Sequence, residues 1–171
     1  MKQDSYRALL NYSFRLLGRK NYSEAEISRK FMQRGKKLKL NGLDAAVKKV
    51  IKRLKELKYL DDDCIIRDYF EYRLKNRPVG KFLFLHEMHR RGIPFEQAKK
   101  EWEKRGIQEE PLALQLLESR KGQWGKEKIP AVLRKKKIIQ LLTSRGFSPD
   151  IIWSLVDALS GQVDKDKYIS I

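Results

Sequence analysis

Cysteine is almost absent from this 171-residue chain: Cys64 stands alone, so no intrachain disulfide is possible. A domain near this length buries roughly 70% of the surface its unfolded chain exposes, so it needs no covalent staple to hold a core. A lone thiol is also compatible with a reduced cytosolic compartment. Histidine is nearly as scarce, with two residues in all. They stand three apart in His86-Glu87-Met88-His89. A zinc-protease helix needs its histidines four apart, the glutamate beside the first, and a further ligand elsewhere. No glycine-rich phosphate loop of the form GxxxxGK(S/T) is present, and no GxSxG elbow. With no catalytic constellation, the chain is expected not to be an enzyme and to need no metal or cofactor. No apolar run approaches the ~20 residues of a membrane span. Met1 to Tyr6 has no apolar stretch of signal-peptide type. The expectation is a soluble, cytoplasmic protein.

Negative charge is also in short supply. Thirty-nine Lys and Arg face 22 Asp and Glu, a net +17 at pH 7. Residues 1–62 carry a net +10, residues 63–109 a net +3, and residues 110–171 a net +4. Such an excess concentrates polyanions and speeds association with them. DNA, RNA or an acidic protein surface would each answer to it, most strongly at the N-terminal end.

Val and Thr are sparse while Leu, Lys, Arg and Glu dominate, which favours helix. Apolar spacing agrees. Leu43, Val47, Val50, Ile51, Leu54 and Leu57 share one stripe, with Lys48, Lys49, Lys52 and Lys55 on the other face. Tyr6, Leu9, Leu10, Ser13 and Leu17 repeat the pattern, as do Ile152, Leu155, Val156 and Leu159. The fold class is therefore all-α. Ser23-Glu24-Ala25-Glu26 has capping-box form. Ser148-Pro149 puts a capping hydroxyl before an N1 proline, and Pro94, Pro111 and Pro130 mark further helix starts. Gly35, Gly92 and Gly146 each follow an arginine and end an apolar stripe, as a left-handed C′ glycine would. Gly80 and Gly122 to Gly125 mark further breaks.

Those three Arg-Gly pairs, 57 and 54 residues apart, expose an internal repeat. Each lies between an amphipathic helix and another that follows, and each is preceded by one more. The reading is three tandem three-helix units, 1–62, 63–109 and 110–171 with a C-terminal tail, forming an elongated body of repeat type. Lys36 to Gly42 is an insertion in the first unit and is expected to project as a basic loop.

Basic residues gather in two zones. Lys36, Lys37, Lys39, Lys48, Lys49, Lys52, Arg53 and Lys55 form the first; Arg134, Lys135, Lys136 and Lys137 form the second. Contacts from such residues to phosphate are sequence-blind and salt-dependent. The third helices of the units differ sharply in charge, so groove reading of duplex DNA would suit the first unit alone. Tyr12, Tyr22, Tyr59 and Trp124 are aromatic, at spacings that suit core or inter-unit contacts. Tyr59 and Leu60 are expected to plug the core of the second unit. Asp61, Asp62 and Asp63 then fall at the start of the next helix, where carboxylates meet free N–H groups.

One stretch carries a family resemblance. Leu54-Lys55-Glu56-Leu57-Lys58-Tyr59-Leu60-Asp61-Asp62-Asp63 resembles the Leu-x-x-Leu-Gly-Tyr-Leu-Asp-Asp sequence of the RecX family. Arg73, Gly80 and Glu87-Met88 before Arg91-Gly92-Ile93 follow in the family's order. Upstream, Leu16 to Glu26, including Ser23 and Glu26, resembles the family's start, and Ser144 to Ser148, around Gly146, its third-unit turn. Lys58 stands where the family usually has glycine, and Cys64-Ile65-Ile66 replaces a Phe-Ala pair. The resemblance implies a regulator that lodges in the groove of the RecA–single-stranded DNA filament and restrains its ATPase, strand-exchange and coprotease activities. Recombination and the SOS response would be its setting. It implies a monomer that contacts RecA, with single-stranded DNA met directly or within the filament. The basic residues of both zones are the expected contact surface. The alternative from the residues alone is an independent, non-specific nucleic-acid-binding protein.

Overall fold

The computed structural model describes residues 4–120 and 130–166. Gly122 to Gly125, with Trp124 among them, lie outside the described residues. Among the described residues all regular secondary structure is helical, as expected from composition and spacing. In order come α1 (Ser5–Leu17), α2 (Glu24–Lys37), α3 (Leu43–Glu56) and α4 (Asp62–Asp68), the last running on into a π-helical segment, Tyr69–Leu74. Then follow α5 (Lys81–Arg91), α6 (Phe95–Lys104), α7 (Glu109–Glu118), α8 (Ala131–Ser144) and α9 (Pro149–Asp166). Among the described residues no helix is long and apolar enough to cross a membrane.

Two compact units account for the described residues. The first comprises residues 4–69 with 88–98; the second comprises 70–87, 99–120 and 130–166. In the first, α1, α2 and α3 form an up-down-up bundle around Leu9, Ile27, Phe31, Val50 and Leu54, all fully buried. Ser5 Oγ donates to Asn41 O at one end, and Phe14 meets Tyr59 at the other, so α1 and α3 run parallel. Ser13, the small residue in the α1 seam, is wholly buried and donates its hydroxyl to Leu10 O at 2.6 Å. That bond removes the cost of burying an unpaired hydroxyl while letting the helices approach.

The second unit has two apolar groups. Phe70, Phe84 and Trp102 pack with ring centroids 4.9 to 5.9 Å apart and planes tilted by 38° to 52°, avoiding the face-to-face sandwich that aromatic quadrupoles disfavour. Ala113, Leu116, Ile138, Leu142, Phe147, Ile152, Leu155 and Val156 form the other, among α7, α8 and α9.

The helix ends correct several expectations. Gly92 and Gly146 do take the left-handed conformation, with φ of 83° and 71°. Gly35 does not. It lies inside α2, which continues through Lys37, and Lys39 takes the left-handed position instead, with φ 51°. Leu40 N–H then closes onto Gly35 O at 3.0 Å, the six-to-one bond of a Schellman motif. What requires glycine at 35 is packing: a Cβ there would lie 2.1 Å from Leu43 Cδ1. Lys58 likewise adopts φ 57° in the family's glycine position, and Tyr59 N–H bonds to Leu54 O. A lysine pays a modest left-handed penalty at each site, offset by carbonyls satisfied at the helix end.

The basic insertion also needs correction. Lys36 and Lys37 are helical, so the connection is residues 38–42, and it does not project freely. Leu40 packs against the core and Asn41 accepts from Ser5. Pro111 sits at the third position of α7 rather than at its start, still within the turn where a missing N–H is harmless. Pro130 immediately precedes α8 and Pro149 opens α9, as expected.

Candidate partner-binding surface

The geometry of α3 places most of the first basic zone. Residues advance by about 100° along an α-helix, so Ala46, Val47, Val50 and Leu54 share the buried side. Lys48, Lys49, Lys52, Arg53 and Lys55 fan over the exposed remainder. Two are engaged: Lys55 Nζ meets Glu24 Oε2 at 2.7 Å, and Arg53 meets Glu56 at 3.3 Å. The ammonium of Lys55 is accordingly held in its charged form, its pKa raised by the Glu24 hydrogen bond and charge. Lys48, Lys49 and Lys52 have no carboxylate within ion-pair distance among the described residues. Three unneutralised cations on one short helical face form a ready contact for phosphate or carboxylate groups.

The remainder of that zone gathers where α2 gives way to α3. Lys36, Lys37 and Lys39 are all exposed there. The sequence reading missed two neighbours, Arg29 and Lys30, which with Lys36, Met32 and Gln33 line a shallow groove of about 600 Å³ along α2. The spacing Arg29-Gln33-Lys36 follows the helical rule for one face and was the available signal. Arg134, Lys135, Lys136 and Lys137 lie in the second unit, on the exposed first half of α8 beside exposed Val132 and Leu133. Lys135 approaches Asp157 of α9 at 4.0 Å, a distance that leaves its charge largely available.

The residues that carry the family resemblance do a different job: they lock backbones together. At the start of α2, Ser23 Oγ accepts from Glu26 N–H, and Glu26 Oε2 accepts from Ser23 N–H, the complete capping box. Ser23 Oγ also donates to Arg91 O. Arg91 Nη2 in turn reaches Glu26 Oε2 at 3.2 Å and Asn21 O at 2.8 Å. Asp62 Oδ1 accepts from Glu24 N–H at 3.1 Å, so it caps α2 as well as opening α4. Asp61 is the N-cap of α4, accepting from Cys64 N–H, and Asp63 accepts from Gln97 Nε2. The expectation that these aspartates serve exposed N–H groups holds for Asp61; Asp62 reaches further than sequence adjacency could show.

Charge in this knot is finely opposed. Burial would raise the carboxyl of Glu26, but the Ser23 N–H, the Arg91 guanidinium and Lys20 together outweigh it and hold the pKa below the usual range. At Asp62 burial prevails over the Glu24 N–H and the nearby cations, and the pKa is raised.

Tyr59 and Leu60 do not plug the second unit. Leu60 belongs to the core of the α1–α3 bundle, and Tyr59 is 52% exposed, edge-on to Phe14. In the second unit, Arg73 pairs with Glu87 at 3.4 Å and donates to Arg77 O. Gly80 N–H donates to Arg145 O at 2.9 Å, and Phe82 N–H to Gly146 O at 3.1 Å. A Cβ on Gly80 would lie 2.2 Å from Gly146 O, and one on Gly146 2.3 Å from Leu83 N. Two glycines are thus what lets this pair of backbones touch. His86 and His89 are exposed on α5, and no group of three or more His, Cys, Asp or Glu among the described residues is placed to hold a metal ion.

No protein-family model matches the chain. Individual proteins do. It is 30% identical over 160 residues to the regulatory protein RecX of Prosthecochloris aestuarii, across 93% of this chain and 98% of that one. It is 29% identical to the regulatory protein RecX of Deinococcus radiodurans, across 91% of this chain and 70% of the relative. The fold resembles the crystal structure of RecX from Lactobacillus salivarius, with a TM-score of 0.65, 19% identity and coverage of 91% and 94%. A second crystal structure of a regulatory protein RecX superposes with a TM-score of 0.66 at 18% identity, covering 92% of this chain and 73% of that one. With its ordered motifs, its helical order and a relative matched along nearly its whole length, the chain belongs to the RecX family of regulatory proteins.

Proposed function

We propose that this protein binds RecA, alone or as the RecA–single-stranded DNA filament, and restrains its ATPase, strand-exchange and coprotease activities. In this reading it modulates recombination and the SOS response in the cytoplasm as a monomeric, non-enzymatic regulator. The observation that carries it is the unneutralised face of Lys48, Lys49 and Lys52 on a chain of the RecX family. Arg53, Lys55, Lys36, Lys37 and Lys39 extend that face, and Arg134 to Lys137 supply a second contact. The division into three helix triplets, 1–62, 63–109 and 110–171, supports an extended contact over several filament subunits. The helices of the described residues, taken in the order α1–α3, α4–α6 and α7–α9, are consistent with it. A body built this way binds along a surface rather than in a pocket.

The rival reading, an independent binder of nucleic acid, rests on the same lysines. Binding to purified RecA with DNA absent separates the two. Saturable micromolar or tighter association supports the regulator. Association seen only when DNA bridges both proteins, and falling steeply with salt as DNA binding does, supports the rival.

A further inference from the structure

We propose that Phe14 and Tyr59 form a stacking platform for an unpaired base of single-stranded nucleic acid, with Lys49 and Arg53 holding its phosphates. The inference does not rest on the RecA reading and is tested without any recombinase.

The placement follows from the end of α3. Lys58 takes the left-handed C′ position and Tyr59 N–H closes onto Leu54 O, which fixes Tyr59 against the rim of the bundle instead of letting it trail into solvent. Phe14 of α1 meets it with centroids 5.7 Å apart and planes at 79°. In an edge-to-face pair each ring covers at most one face of the other. Phe14 remains 43% exposed and Tyr59 52%. Other aromatic rings of this bundle are taken up already: Tyr12 lies against Phe31 and Arg34, and Tyr22 is buried under Lys20 and Lys30.

The carboxylates that follow Tyr59 are turned elsewhere, Asp61 to Cys64 N–H, Asp62 to Glu24 N–H and Asp63 to Gln97, and the cations near the pair come from α3. Lys55 bonds to Glu24 of α2, so that edge of α3 faces α2. At about 100° per residue, Lys49, Arg53 and the 41%-exposed Leu57 fall on the opposite edge; α3 packs on both α2 and α1, so this is the edge toward α1, which bears Phe14. Lys49 and Arg53 are one helical turn apart, about 6 Å along the axis, a spacing comparable to successive phosphates of an extended single strand. Arg53 is bonded to Glu56, the acid on this edge, at 3.3 Å with both side chains about half exposed, a pair weak enough to open to a phosphate. Exposed aromatic faces beside a cationic track are how proteins hold single strands without reading sequence. An acidic protein partner would use the cations but has no need of an open ring face.

The test is fluorescence anisotropy with a labelled oligothymidylate and a duplex of equal length, each across a salt series. Tyr59→Leu keeps the backbone bond to Leu54 O and an apolar side chain beside Phe14, and should weaken single-strand binding by about 5- to 150-fold, the range for one lost stack. It should leave the salt slope unchanged and alter duplex affinity less than about twofold. Phe14→Leu should act in the same direction. Lys49→Ala should instead lower the slope of log K against log salt by about 0.7. Tyr59→Trp retains a stacking face and should retain single-strand affinity, which separates stacking from loss of fold. The proposal is overturned if the unsubstituted chain shows no saturable single-strand binding. Losses shared equally by single strand and duplex, or no loss for Tyr59→Leu, overturn it as well.

Discussion

Replacing Gly80 by alanine isolates the contact on which the second unit turns. Its φ lies outside the left-handed region, so the backbone itself would accept a side chain. On an open position of that kind, Gly→Ala commonly stabilises by about 0.4–1 kcal/mol, because the unfolded chain loses freedom. Here the added Cβ would stand 2.2 Å from Gly146 O, 2.5 Å from Gly146 C and 2.4 Å from Phe147 Cα. All three are backbone atoms, which cannot rotate away. The chains must separate by more than 1 Å to reach ordinary contact, near 3.4 Å or beyond. Separation of that size stretches the bonds from Gly80 N–H to Arg145 O and from Phe82 N–H to Gly146 O past useful geometry. Overpacking costs about 1–3 kcal/mol and each buried polar group left unpaired about 1–3 more. Against the small entropic gain, Gly80→Ala should lose about 2–5 kcal/mol. Urea unfolding followed by circular dichroism reads this as a fall of roughly 1 M or more in midpoint at an unchanged slope. A loss below about 0.5 kcal/mol would refute the reasoning, because it would mean the two backbones are not locked.

A second glycine and two carboxylates respond to substitution in ways that differ from Gly80. Gly35→Ala meets only the flexible end of Leu43 and gains helix propensity of about 1 kcal/mol, so its net loss in the same urea assay should stay below about 2 kcal/mol; a cost equal to that of Gly80→Ala would contradict this. The folded carboxyl of Glu26 lies below its ordinary value, so its contribution is complete above about pH 4.3 and is lost as pH falls through the lower folded value. Glu26→Gln should flatten the acid limb of a Tm-against-pH curve, and an unchanged limb would count against the Ser23–Arg91 knot. Asp62 has the opposite sign: its raised pKa means the carboxylate costs stability at neutral pH and the cost is relieved as pH falls through that value. Asp62→Asn keeps an acceptor for the Glu24 N–H and should raise Tm at pH 7 relative to pH 4; a uniform fall would show that the charge itself is needed.

Much of the fold is legible in the residues. Helical spacing in α1, α3 and α9, the Ser23–Glu26 box and the glycines at 92 and 146 all read correctly, since each depends on contacts within a few residues. What escaped depends on contacts far along the chain. Gly35 looks like a helix stop beside Arg34, but the cause of its smallness is Leu43. Lysine is a poor left-handed residue, so Lys39 and Lys58 give no signal of the turns they make. Tyr59 reads as core because aromatics usually are, and only the packing of α1 shows that Leu60 alone goes inward. In the candidate surface, charge runs revealed Lys48, Lys49 and Lys52 directly. Arg29 and Lys30 were hidden within an ordinary amphipathic stripe. Which lysines are already neutralised, as Lys55 is by Glu24 from 31 residues away, was beyond any local pattern.

The central claim is met most directly by RecA's single-stranded-DNA-dependent ATPase, measured while this protein is titrated in at fixed salt. The account predicts inhibition at near-stoichiometric protein. It further predicts that Lys48→Glu, Lys49→Glu and Lys52→Glu combined raise the concentration needed at least tenfold while the circular dichroism of the chain is unchanged. An ATPase rate unmoved by equimolar unsubstituted protein would contradict it.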